Sequence, residues 1–220
     1  MKIYPQVPQG LVNGWVASTE RHEPGEKVPF HYHDVEEWLQ VQKGDIRFFS
    51  AGGREHHLGV GQALEIPRGE VHRVEIGAHG VEYRMWIPVD VREAGFANVL
   101  DGEAEALIKK NLLVPSAEDR GDGPFFDDFL SEQLTFRTAS GTVLDKAGFT
   151  SRGFTNRNRL PSDSVRVLHQ GPDSVLLSTM VGVPGDGGRI QFFSNERLFV
   201  REGNTLACRV WLNYPEPAGR

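Results

Sequence analysis

The sequence predicts two domains, an all-β sandwich or small barrel followed by an α+β domain. Three observations carry this. Residues 1–92 break into short runs of alternating apolar and polar residues, punctuated by Gly- and Pro-bearing turn signals. From Asp101 the pattern changes to helical periodicity and then to four longer strand-like runs. The chain has 220 residues, of which 39% are hydrophobic and 25% charged, enough for two modest cores in a folded globular protein. The expected division is 1–92 for the first domain, 93–100 for a linker and 101–220 for the second.

In the first domain the expected strands are Gly14–Thr19, Phe30–His33, Glu37–Gln42, Ile46–Ser50, Ala63–Ile66, His72–Ile76 and Glu82–Ile87. Turn signals lie between them at Glu23-Pro24-Gly25, Lys43-Gly44-Asp45, Ala51-Gly52-Gly53, Gly59-Val60-Gly61, Pro67-Arg68-Gly69 and Ala78-His79-Gly80. Many short strands at this spacing suit a sandwich or a barrel.

In the second domain Asp101 reads as the N-cap of a helix through Glu103–Leu113, stopped by Pro115. Pro124 opens another helix, with Phe125, Phe126, Phe129 and Leu130 on its apolar face. Gln133–Thr138 reads as a strand and Asp145–Arg152 as a short helix. Ser164–His169, Ser174–Val183, Arg189–Val200 and Thr205–Asn213 follow as strands. Turns at Gly171-Pro172-Asp173, Pro184-Gly185-Asp186-Gly187 and Glu202-Gly203-Asn204 make them an antiparallel meander.

Charge narrows the partners. The net charge of −6 is divided evenly between residues 1–92 and residues 93–220, with no basic stripe, so nucleic acid is not an expected partner. MKIYPQVPQG lacks the apolar core of a secretion signal and no run reaches the length of a membrane span, so a cytoplasmic location is expected. The single cysteine, Cys208, sits in an alternating apolar run and reads as a buried small hydrophobe rather than a reactive thiol.

Chemistry concentrates in two blocks. The first is Gly25-EKVPF-His31-Tyr32-His33-DVE-Glu37-WLQVQK-Gly44, and the second Gly61-QALEI-Pro67-Arg68-Gly69-EV-His72. Side chains two apart on a strand face the same way, so His31 and His33 point together and Glu37 keeps their parity. Glu36 has the opposite parity. His72 must arrive from a second strand. Three imidazoles and a carboxylate aimed at one point, with positions left open, suit metal-assisted chemistry.

These blocks resemble the paired motifs of the cupin superfamily, small β-barrels of the jelly-roll kind. The first motif, Gly-x5-His-x-His-x3-Glu-x6-Gly, is met at Gly25, His31, His33, Glu37 and Gly44. The second, Gly-x5-Pro-x-Gly-x2-His, is met at Gly61, Pro67, Gly69 and His72. The family pattern often ends in Asn four residues later, where this chain has Ile76; that position carries no ligand in the family. The resemblance spans about residues 14–90 and implies that His31, His33, Glu37 and His72 ligate one divalent transition metal. Iron, manganese and nickel are favoured over zinc and copper. His22, His56, His57, His79 and His169 lack such spacing and read as surface or turn residues, with His56-His57 near the barrel mouth as an option.

Leu39, Val41, Leu64, Ile66 and Val74 would line an apolar interior. On the run Glu82–Ile87, either Tyr83, Met85 and Ile87 face inward, favouring an aromatic or aliphatic substrate, or Arg84 and Trp86 do, favouring a carboxylate or phosphate. Tyr83, Met85 and Arg84 are therefore the candidate substrate-pocket residues. No second acid or base stands out in the sequence.

Residues 101–220 resemble the nuclear-transport-factor-2-like (SnoaL-like) superfamily, α+β cones with a curved antiparallel sheet. The likeness rests on Phe125–Leu130, Leu134–Arg137, Gly141–Phe149, Arg197–Arg201 and Arg209–Asn213. Some members of that superfamily place an Asp or His in the cone. Asp127, Asp128 and Asp145 are the acids available here, though their places suggest a solvated face for the first two and a cap for the third.

The function expected from these readings is a metal-binding cupin, a metal-dependent oxygenase (including a dioxygenase) or isomerase acting on a small organic molecule. The alternative is a non-catalytic binding or sensing protein dimerised through its second domain. Both family resemblances imply a homodimer.

Overall fold

The computed structural model describes residues 1–12, 14–88, 97–153, 163–184 and 189–215. Residues 93–96 of the expected 93–100 linker and residues 185–187 of the expected Pro184-Gly185-Asp186-Gly187 turn lie outside these. The chain divides into two compact units, Met1–Glu105 and Ala106–Arg220.

The first unit is built from β1 (Lys2–Tyr4), β2 (Trp15–His22), β3 (Lys27–Tyr32), β4 (Glu37–Ser50), β5 (Glu55–Leu58), β6 (Ala63–Ile66), β7 (His72–Pro88) and β8 (Asn98–Val99). Two strands dominate. β4 and β7 pair antiparallel from Trp38 opposite Trp86 to Ser50 opposite His72. Their outer partners change midway. The first part of β4 pairs with β6 and the last part with β5, while β7 pairs with β3 near His72 and with β2 from Val81 onward.

This corrects two expected turns. Lys43-Gly44-Asp45 and Ala78-His79-Gly80 are not hairpins but irregular corners inside long strands, where the register shifts. Glycine signals a strand corner as readily as a chain reversal, which is why periodicity alone misread them. Gly44 and Gly80 both have φ of +73°. A Cβ on Gly44 would lie 2.0 Å from the carbonyl oxygen of Gly80, so the strands can approach here only without a side chain.

Leu39, Val41, Ile46, Phe48, Leu58, Leu64, Ile66 and Val74 form the buried core of this unit. Each such side chain contributes about 1.5–3 kcal/mol through burial, far more than any surface ion pair on the same strands. Core packing therefore fixes the face that each strand turns inward. The short strands β1, β5 and β8 were not anticipated; β5 alternates exposed and buried residues over only four positions.

Among the described residues the second unit holds α1 (Gly102–Leu112), which begins in the first unit, α2 (Val114–Arg120), α3 (Gly123–Phe129) and α4 (Lys146–Ser151). With them are β9 (Leu130–Arg137), β10 (Val143–Leu144), β11 (Val165–Gln170), β12 (Ser174–Pro184), β13 (Ile190–Glu202) and β14 (Thr205–Pro215). The sheet order is β10-β9-β14-β13-β12-β11. β11 to β14 form the antiparallel meander expected, and β9 joins β14 in parallel.

Caps read from the sequence are present. Asp101 Oδ1 accepts from Ala104 N at 2.7 Å, and Asp145 Oδ1 accepts from Gly148 N at 2.7 Å. Pro115, expected as a stop, instead occupies the first turn of α2, where its missing N–H costs nothing. Phe126, Phe129, Phe136, Phe149, Phe199 and Trp211 form the aromatic core. Arg197 is buried among them, its guanidinium 4.0 Å from the Trp211 ring and donating to Asn111 Oδ1 at 2.6 Å. Cys208 is buried as expected, and burial pushes its thiol pKa up to about 12. Among the described residues no helix is long and apolar enough to cross a membrane.

Candidate metal centre

Strand pairing brings the two sequence blocks together. His31 lies near the end of β3, directly opposite His72, the first residue of β7. His33 follows just beyond β3, and Glu37 opens β4. A tight turn completes the arrangement: Glu70 N donates to Pro67 O at 3.0 Å, and Gly69, at φ +75°, donates its N–H to the carbonyl of His33 at 2.8 Å. The second block is thus hydrogen-bonded to the first.

All four side chains are buried, Glu37 to 3% and His72 to 1% exposure. The donor atoms of His31, His33 and His72 lie within 4.8 Å of one another. His31 Nδ1–H donates to Pro29 O at 2.8 Å, and His72 Nδ1–H donates to Glu70 O at 2.8 Å. A carbonyl can only accept, so both rings carry their proton on Nδ1 and keep a lone pair on Nε2. Burial lowers the pKa of His31 and, more strongly, of His72, so both imidazoles are neutral at pH 7.

Glu37 stands slightly apart from this three-histidine group. Its Oε1 is 2.9 Å from His33 Nδ1. Both atoms are buried, and the geometry between them satisfies no hydrogen bond. Two buried polar atoms this close without a hydrogen bond are a cost unless something else satisfies them. Two ligands about 2.1 Å from one ion at a right angle would sit about 3.0 Å apart, so the pair fits neighbouring corners of one coordination shell. Glu36 points elsewhere, accepting from Trp38 Nε1 at 2.9 Å.

The alternative left open on Glu82–Ile87 has an answer in the register. Tyr83 pairs with Val41 and Met85 with Leu39, so both share the face of the buried core. Arg84 is exposed, its guanidinium 5.3 Å from the Trp86 ring. Tyr83 O–H donates to His22 Nε2 at 3.2 Å, and His22 Nδ1–H donates to Glu26 Oε1 at 3.0 Å. Burial raises the Tyr83 pKa.

Two histidines depart from the surface-or-turn reading. His22 is a half-buried strand residue stacked on Tyr83, and His56 is buried on β5 opposite Phe48. His57, His79 and His169 are exposed, each on a strand. The signal for His56 was its alternation with Leu58, hidden by the shortness of the run. In the second unit Asp127 and Asp128 are exposed and Asp145 caps α4.

Residues 18–86 match the family model described as a cupin domain. No curated protein matches the chain. Among solved structures, the DMSP lyase DddQ from Ruegeria pomeroyi DSS-3 is similar at 21% identity over 40% of this chain and 43% of the lyase, with a TM-score of 0.36. The chain thus spans less than half the length of that lyase. The polyketide cyclase RemF from Streptomyces resistomycificus is similar at 24% identity over 44% of this chain and 67% of the cyclase, with a TM-score of 0.35. An NTF2-like protein from Cytophaga hutchinsonii ATCC 33406 is similar at 14% identity over 53% of this chain and all of that protein, with a TM-score of 0.45.

Proposed function

We propose that the cupin domain at residues 18–86 is the catalytic part of a metal-dependent enzyme, an oxygenase or isomerase of a small organic molecule. His31, His33, Glu37 and His72 are the ligands of its one divalent transition metal. The observation that carries this reading is the convergence of three buried imidazoles beside a buried carboxylate, with His33 Nδ1 and Glu37 Oε1 left without hydrogen bonds. A divalent ion supplies a Lewis acid for a substrate oxygen and, where it is redox-active, a site for dioxygen. Four protein ligands leave nothing open in a tetrahedral zinc site but two positions in an octahedral one, which favours iron, manganese or nickel.

The protein's own residues prepare this chemistry. The Pro29 and Glu70 carbonyls orient the His31 and His72 rings and fix their tautomers. Burial keeps those rings neutral, ready to donate electron pairs. Met85 and Tyr83, on the core face, favour an aliphatic or aromatic substrate body, while Arg84 lies outside. The first unit is read as a jelly-roll barrel and the second as a nuclear-transport-factor-2-like cone, in a homodimer.

Elemental analysis tests the site. Wild-type protein should carry near-stoichiometric metal, and His31→Ala/His72→Ala should lose it; equal metal in both would sink the assignment. Dioxygen uptake and turnover across a small-molecule panel test the reaction. Tight retention of an unaltered ligand with no turnover would assign binding or sensing instead. Light scattering at about micromolar concentration tests the homodimer, a monomer mass overturning that part.

A further inference from the structure

Three titratable side chains of the first unit form a chain that the proposed metal centre does not use. Glu26 Oε1 lies 3.0 Å from His22 Nδ1, and His22 Nε2 lies 3.2 Å from the hydroxyl of Tyr83. A carboxylate can only accept, so His22 carries its proton on Nδ1, and its Nε2 lone pair takes the Tyr83 O–H. The hydrogen bond from His22 holds the Glu26 carboxyl below the ordinary range and keeps it ionised. Carboxylate, imidazole and hydroxyl in this order are the arrangement that lets a hydroxyl give up its proton at neutral pH.

Turn and register hold the chain in place. Glu26 Oε2 accepts from Glu23 N at 3.2 Å, and Glu26 N donates to Glu23 O at 3.2 Å, so the turn between β2 and β3 fixes the carboxylate. The His22 ring stacks on Tyr83, with centroids 5.7 Å apart and planes 12° from parallel. Glu20, directly opposite Tyr83 on β2, accepts from Ser18 Oγ at 3.0 Å, and the phenol turns to His22 instead.

The two ends of the chain meet different surroundings. The side chains of Glu26 and His22 are 42% and 24% exposed, whereas Tyr83 packs against the buried core. Glu37, Leu39 and Val41 alternate on β4, and Tyr83 pairs with Val41, so the phenol lies on the face that carries the Glu37 carboxylate. Burial, then the charges of Glu20, Glu37 and Glu26, raise the Tyr83 pKa above its ordinary value. A free phenolate is therefore unavailable at neutral pH. The oxygen can take a proton only as it passes its own to His22.

We propose that Tyr83, relayed through His22 to Glu26, is the proton-transfer residue of this unit, acting on a carbonyl compound with an acidic C–H beside the carbonyl. The role rests on the metal-dependent reading of the same unit and selects its isomerase branch. The substrate C–H bond breaks, its proton goes to Tyr83 Oη, and the Tyr83 proton moves to His22 Nε2. The electron pair left on carbon spreads into the carbonyl to give an enolate, and the new imidazolium faces the Glu26 carboxylate. Reversal of the relay returns a proton to the same carbon or to one conjugated with it. Nothing is oxidised, so no dioxygen is consumed. Glu26 is a positioning residue, holding the His22 tautomer.

Pyruvate and acetophenone are the probes. Proton NMR in heavy water follows exchange of their methyl protons by full-length protein, metal-loaded or treated with chelator. Loaded wild type should exchange at least one probe faster than buffer does, and Tyr83→Phe should slow this about a hundredfold at unchanged metal content. Glu26→Gln should slow it about tenfold or more, because a carboxamide no longer fixes the His22 tautomer. In metal-free wild type, nitrogen-15 NMR should find the His22 proton on Nδ1 and none on Nε2. No exchange of either probe, full exchange by Tyr83→Phe, or a proton on His22 Nε2 overturns the proposal. Exchange that needs Tyr83 but survives chelator upholds the relay and overturns the metal reading instead. Wild-type exchange and tautomer decide the matter even if a variant does not fold.

Discussion

Oε1 of Glu37 and Nδ1 of His33 lie 2.9 Å apart, both buried, without a hydrogen bond between them. Left alone, that contact is a standing cost of polar groups removed from water. The shared ligation proposed for them would remove the cost, because both lone pairs would then have a partner.

Glu37→Gln should therefore weaken metal binding about a hundredfold, the upper scale at which even outer partners of metal ligands act. Glu36→Gln should leave it unchanged, since Glu36 accepts from Trp38 Nε1 instead. Competition against a fluorescent chelator measures both. Equal loss in the two variants would falsify the choice of Glu37.

Acid should destabilise the metal-free protein in a defined window. His31 and His72 have folded pKa values below the ordinary 6.5, so below that pH the unfolded chain binds more protons than the folded one. Stability is then full above pH 6.5 and falls as pH drops toward the folded values. Urea midpoints in chelator between about pH 7.5 and 5 should decline, before the carboxylates titrate. A flat midpoint across that window contradicts buried neutral imidazoles.

Gly44→Ala should cost about 3 kcal/mol or more, combining a positive φ with a Cβ placed 2.0 Å from Gly80 O. Gly53→Ala has a φ of +88° but open space around its Cβ, and should cost only about 1 kcal/mol. Urea unfolding of the two variants gives the comparison. Similar losses would mean that the strand corner tolerates a side chain.

Tyr83→Phe removes the hydroxyl that donates to His22 at 3.2 Å and should cost about 1 kcal/mol of stability. Metal content should not change, because Tyr83 is not a ligand. Loss of metal in this variant would place the hydroxyl at the centre.

Cys208 should resist alkylation by iodoacetamide at about pH 8 in the native state and react at once in urea, since burial and a pKa of about 12 keep it a thiol. Mass spectrometry before and after unfolding reads this. Rapid native labelling would show that β14 opens locally.

The meeting of His31, His33 and His72 was legible because its information is local. His31, His33 and Glu37 share parity over seven residues, and Pro67, Gly69 and His72 mark a turn and the strand after it. The strand corners were not legible. Lys43-Gly44-Asp45 looks like a hairpin turn until the partner strand is known, because its φ of +73° serves a β-corner as well. Pro115 misled for a related reason: a residue that ends one helix is well placed to begin the next. The orientation of Tyr83 against Arg84 needed the register with β4, which no single strand encodes.

The long pairing of β4 with β7 has a consequence for assembly. Glu37 begins one of these strands and His72 begins the other, with the corner glycines between. A slip of one residue along this ladder would turn His72 to the wrong face while leaving much of the hydrogen bonding intact. The proposed ligation by both strands would thus proofread their alignment, rewarding only chains threaded in the native frame. Misthreaded chains would be recognisable as a fraction that never takes up metal, however long it waits.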